Sequence, residues 1–125
     1  MQNADKNDEN TTIKELKNLV KNFCEERDWD KYHNPKDLAI GISTEANELL
    51  DIFRFKNKEE IKQMLKGTKR VDIGEELADV FYFILRFSQM NNFDLSEELK
   101  KKLEKNDKKY PVDKAKGSNK KYDEL

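Results

Sequence analysis

The sequence predicts an all-α protein, an antiparallel four-helix-type bundle assembled as a homo-oligomer. Three observations lead there. The 125 residues include only four glycines and two prolines, too few for the turns of a β-sandwich. Apolar residues recur at steps of three and four along separate stretches of the chain, the period of a helix face. Between Leu77 and Phe87, nine of eleven residues are apolar, and a helix apolar on all sides has to be surrounded. A chain of 14.9 kDa makes one domain with few helices to do this, so a second copy at this helix is expected.

Residues 1–10 are almost all polar and are expected to be disordered. Thr11 or Thr12 can cap a first helix whose stripe is Ile13, Leu16, Val20, Phe23 and Cys24, ending near Arg27. Asn34-Pro35 starts a second helix, with Asn as cap and Pro at the first helical position. Its apolar face is Leu38, Ile42, Ala46, Leu49 and Phe53, and it is expected to reach about Phe55. Asn57 can cap a short segment, KEEIKQMLK, that stops at Gly67 and serves as a cover. The most apolar helix follows from about Val71 to Met90. Asp94 or Ser96 caps a last helix to about Asn106, closed by Pro111. The predicted helical domain is 11–110, with 111–125 an irregular basic tail.

Twenty-five basic residues oppose twenty-six acidic ones, a formal charge of -1, which argues against wholesale coating of nucleic acid. The charge is uneven. From Lys100 onward ten lysines face five acids, leaving an acidic body and a basic end, suited to phosphates or simply to solvent. The lone cysteine, Cys24, cannot form an internal disulfide and reads as a small buried apolar group. With no apolar leader in MQNADKNDENTT, a cytoplasmic location is expected. No membrane span is expected either, because the run Leu77–Leu85 falls far short of the roughly 20 residues required and contains Asp79.

Carboxylates stand where apolar residues belong. On a wheel with Leu38 at zero, Glu45 falls near 340° and Glu48 near 280°, so Glu45 borders the core stripe. The two are spaced i,i+3 and project from neighbouring turns. Glu76 and Asp79 repeat that spacing, with Asp79 inside the most apolar run. A buried carboxylate there must be paired or coordinated. One reading pairs Asp79 with Arg86, seven residues on, and leaves the glutamates solvated. The other packs the helices antiparallel so that Glu45, Glu48, Glu76 and Asp79 face one another. Hard oxygen donors without cysteine or nearby histidine suit Mg²⁺ or Mn²⁺. His33, the single histidine, lies outside both pairs, which argues against a di-iron site built on Glu-x-x-His.

These residues carry a resemblance. E-x-x-E, here Glu45 to Glu48, followed by E-x-x-D, here Glu76 to Asp79, resembles the signature of the MazG-like all-α nucleoside triphosphate pyrophosphohydrolases. The surrounding text RDWDKYHNPKDLAIGISTEANELLDIFRFK, GEELADVFYFIL and KLEKNDKKYPVDKAKGSNKKYDEL is similar to the dCTP pyrophosphatase branch. The likeness runs from about Phe23 to Leu125. It implies a dimer or a tetramer of paired dimers that hydrolyses a (deoxy)nucleoside triphosphate to the monophosphate and pyrophosphate. It further implies that Glu45, Glu48, Glu76 and Asp79 are Mg²⁺ ligands and catalytic residues, one of the glutamates accepting a proton from water.

The same resemblance implies a base pocket at Trp29, Tyr32 and His33, with Phe55 where relatives carry tryptophan. Phe83 stands where animal relatives have tyrosine. Lys102, Asn106 and Lys109 match positions associated with the phosphates, Lys109 replacing an arginine of some relatives and giving a point charge instead of a fork. Two other functions compete. One is an all-α dUTPase-like hydrolase. The other is a non-catalytic oligomerisation module whose basic tail binds RNA or a protein.

Overall fold

The computed structural model describes residues 5–125, and the regular structure among them is helical, with no strand. Of the N-terminal segment expected to be disordered, residues 1–4 lie outside the described residues. In the remainder Asn7 and Asn10 close a hydrogen-bonded turn, and Lys6 meets Glu15 at 3.6 Å. Six helices follow in chain order: α1 (Ile13–Glu26), α2 (Pro35–Phe53), α3 (Lys58–Lys66), α4 (Lys69–Met90), α5 (Leu95–Lys109) and α6 (Val112–Ala115). The chain divides into two units, one ending at Asn92 and one starting at Phe93.

The caps follow from the sequence chemistry. Thr12 and Glu15 form a capping box at α1, satisfying two backbone donors reciprocally. Asn34 accepts from the Asp37 amide ahead of Pro35, and Asn57 with Glu60 makes a second capping box at α3. Asp94 is the cap of α5, through the Glu97 amide. Boundaries move by a few residues. α2 stops at Phe53, because Arg54 turns extended and Phe55 takes a left-handed φ of 66°. α4 begins at Lys69, since turns through Gly67 and Thr68 carry the chain almost directly from α3 into it. α5 runs three residues past Asn106. The tail expected to be irregular holds α6 and a 3₁₀ turn at Tyr122–Glu124.

In the first unit α4 is the central element: it packs most on α2, then on α1 and α3. Gly41 of α2 meets Phe83 of α4, while Glu45, one turn later, meets Glu76 and Asp79. The numbering climbs on one helix as it falls on the other, so α2 and α4 run antiparallel. Gly41 sets their contact. A Cβ built there would lie 2.5–2.8 Å from three ring carbons of Phe83, so the missing side chain is what lets the ring sit between the helices. Cys24, Leu38 and Leu85 are the fully buried apolar residues among those described, whereas Leu77, Phe81 and Leu19 remain exposed.

The second unit is built on α5. Its N-terminal turn carries Glu97 and Glu98 and its last turn Lys108 and Lys109, the charge order that suits a helix dipole. Tyr110 and Tyr122 meet edge-to-face at 6.1 Å, and the Lys109 ammonium lies 4.7 Å from the Tyr122 ring. That contact folds the end of the chain back on α5.

Gly41→Ala separates propensity from packing. Alanine in a helix interior gains up to about 1 kcal/mol over glycine, whereas overpacking costs about 1–3 kcal/mol. With the Phe83 ring in the way, the variant is expected to be less stable than the parent in urea unfolding. A stability gain would show that the ring moves freely.

Candidate active site

Helical spacing turns Glu45 of α2 and Glu76 and Asp79 of α4 toward one point. One carboxylate oxygen from each lies within 4.8 Å of the others. Glu48 lies one turn beyond Glu45 and adds to the upward push on the carboxyls of both Glu45 and Glu76. Oε2 of Glu45 and Oε2 of Glu76 are buried and have no hydrogen-bond donor. When ionised, four acids only accept and cannot satisfy one another.

Burial is the main force on this group. It pushes the Glu45 carboxyl up to about 7, with Glu48, Asp79 and Glu76 adding repulsion. Glu76 is raised as well, by burial first and then by Glu48 and Asp79. Either a proton or a cation has to relieve such a cluster. Among the described residues no lysine or arginine pairs with these acids. Arg86, a candidate partner for Asp79, turns elsewhere: it binds Asp30, His33 and Gln89. Two orphaned oxygens, oxygen-only donors and the lack of a protein cation fit a hard dication such as Mg²⁺ or Mn²⁺.

Next along α4 comes a set of aromatic rings in edge-to-face contact: Phe83 with Tyr82 (5.0 Å), Tyr82 with Phe23 (6.1 Å), Phe23 with Trp29 (5.8 Å) and Trp29 with His33 (6.2 Å). Tyr82 Oη and Cys24 Sγ, 3.0 Å apart, tie α4 to α1. Trp29 and His33 thus lie in the α1–α2 loop, and Tyr32 in its 3₁₀ turn. Phe55 is apart from that group, 89 % exposed beside the Arg54 guanidinium at 4.7 Å. A phenylalanine with positive φ is uncommon, and this one offers a bare aromatic face. Lys102, Asn106 and Lys109 follow one another at i, i+4 and i+7 on α5, in the second unit.

Sequence reasoning missed the Arg86 network. The signal available was a guanidinium inside an apolar run, which demands a partner. Helical spacing offered Asp79 as one possible partner, but Asp30, far away in sequence, folds over Arg86 instead.

A MazG-like family model matches residues 40–125. dCTP pyrophosphatase 1 of Bos taurus and that of Homo sapiens are each 30% identical over 115 residues, spanning 91% of this chain and 68% of theirs. The crystal structure of a pyrophosphatase from Archaeoglobus fulgidus DSM 4304 superposes with a TM-score of 0.74 at 38% identity, covering 79% of this chain and 92% of that one.

The raised Glu45 carboxyl makes stability depend on pH. Its proton is held more tightly in the folded than in the unfolded chain, so its contribution is complete below about pH 4.5 and is lost as pH rises through about 7. In chelator, Tm is expected to fall across that window by more in the parent than in Glu45→Gln. Mg²⁺ should recover the loss near pH 7.5 in the parent. Identical curves for parent and variant, or no response to Mg²⁺, would contradict this account.

Proposed function

The chain belongs to the MazG-like dCTP pyrophosphatase family and is a nucleoside triphosphate pyrophosphohydrolase, and on that premise we propose that its substrate is dCTP or a modified dCTP and its cofactor Mg²⁺, with Mn²⁺ able to substitute. The observation that carries the reading is the three-acid convergence of Glu45, Glu76 and Asp79 with two donor-less buried oxygens. It is supported by the relatives' names, dCTP pyrophosphatase 1 and a pyrophosphatase.

In this reading Glu45, Glu76 and Asp79 hold the dication, with Glu48 at its edge. A bound dication supplies charge neutralisation at the phosphates and acidifies water. The chain's own residues do the rest. Glu48 acts electrostatically on Glu45 and Glu76 yet stands outside the tight cluster, so it is the group assigned to accept the proton of the attacking water. The water oxygen adds to phosphorus as the bond between the α- and β-phosphoryl groups breaks, giving the nucleoside monophosphate and pyrophosphate. Trp29, His33 and Phe83 offer the base an aromatic edge and a hydrogen bond, and Phe55 offers a stacking face. Lys102, Asn106 and Lys109, with the basic tail from 111 to 125, are the groups assigned to bind the phosphates. Lysine there acts as a point charge.

A homodimer or homotetramer is part of the same proposal. Leu77, Ala78, Val80, Phe81 and Ile84 line an apolar groove of about 450 Å³ along α4. Leu77 is 58% exposed, in keeping with a helix that needs neighbours. Among the described residues no helix is long and apolar enough to cross a membrane. A cytoplasmic location fits a cysteine that is free and buried.

Two measurements test these proposals. Purified protein with Mg²⁺ is expected to release pyrophosphate from dCTP and 5-substituted dCTP faster than from dUTP or the common triphosphates. Asp79→Asn and Glu45→Gln should each lower kcat/KM by about a hundredfold or more while the helical circular dichroism persists. Full turnover in both would remove the ligand assignment, and a preference for dUTP would favour the dUTPase-like activity. Light scattering should give a mass of two or four chains, reduced by Phe81→Glu; a monomeric parent would contradict the assembly.

A further inference from the structure

Arg86 is 1% exposed, the largest fully buried side chain among those described. A guanidinium taken out of water must fill its donors, and this one does so across the fold. Its terminal nitrogens reach Asp30 and, at 2.7 Å, Oε1 of Gln89. Its Nε donates to Nδ1 of His33 at 2.9 Å. Asp30 and His33 both belong to the α1–α2 loop, so a single α4 side chain fastens the segment that carries Trp29 and Tyr32.

The bond to His33 has a chemical consequence. Arginine has five N–H groups and no acceptor, and it does not deprotonate. Nδ1 of His33 must therefore present its lone pair. The proton of the neutral ring is then on Nε2, and an imidazolium would set N–H against N–H. Burial, and after it the charge of Arg86, hold the His33 pKa below its ordinary value, while Asp30 pulls the other way. His33 is partly exposed, its Nε2 makes no hydrogen bond among the described residues, and its ring lies edge-to-face with that of Trp29.

We propose that Arg86 is a positioning residue: it locks His33 in the Nε2–H tautomer, so that the ring offers one directed donor to an uncharged acceptor on the nucleotide, a base carbonyl or a sugar oxygen. The nucleotide half of this statement rests on the function proposed above. An uncharged ring favours such an acceptor over a phosphate, which would draw out the imidazolium. With Nδ1 engaged and Nε2 protonated, His33 is a donor and not a general base.

His33 is the only histidine in the chain, so its ring gives one unambiguous set of nitrogen signals. Long-range ¹H–¹⁵N correlation spectra of the full-length protein at pH 7 are expected to show the Nε2–H tautomer alone. Asp30→Asn, which loosens the half-exposed partner, and Arg86→Met should introduce the Nδ1–H form. An Nδ1–H tautomer or an imidazolium in the parent would overturn the proposal without any variant. In dCTP hydrolysis with Mg²⁺, Arg86→Met and His33→Ala should each raise KM about tenfold, the loss falling on KM rather than kcat. The double variant should be no worse than His33→Ala. Additive losses would make Arg86 a purely structural residue. A parent that hydrolyses no triphosphate would remove the proposed function and with it the nucleotide role, and the spectra would still decide the tautomer.

Discussion

Everything in the first unit depends on how closely α2 and α4 approach. Gly41 has no side chain, so the Phe83 ring can lie against the α2 backbone. One turn farther along, the same approach brings Glu45 against Glu76 and Asp79. A bulkier residue at position 41 would relax the charge repulsion and dismantle the constellation at once. Packing therefore holds together groups that electrostatics would drive apart.

α4 carries two kinds of charge in an apolar setting and treats them oppositely. Arg86 is buried with its partners supplied by the chain: a carboxylate, an imidazole and an amide. The acidic cluster two turns earlier is given no cation by any described residue, and two of its oxygens have no donor. A buried charge that a protein satisfies internally serves the fold. One that it leaves unsatisfied marks a candidate ligand site.

Much of this was legible in advance. Thr12, Asn34, Asn57 and Asp94 mark the helix starts because a capping side chain bonds the backbone within three residues of itself. The acids at 45, 48, 76 and 79 could be recognised because helical spacing puts each pair on one face, and because Asp79 interrupts an apolar run. The partner of Arg86 could not be read in this way. Asp79 is its neighbour on the helix surface, whereas Asp30 becomes its neighbour only when the α1–α2 loop folds over α4. Nor did Gly41 announce its role, since a glycine inside a helix pattern is a penalty until the ring that needs the space is known.

The sequence by itself determined the local structure: helix starts and stops, which side of each helix is apolar, and which carboxylates share a turn. These depend on residues three or four apart, and their geometry is set by the backbone alone. Tertiary structure decided which helix faces which, that Glu45 meets Glu76 and Asp79, and that Arg86 belongs to Asp30 and His33. Such contacts join residues separated by tens of positions, and they arise only when the elements pack against one another.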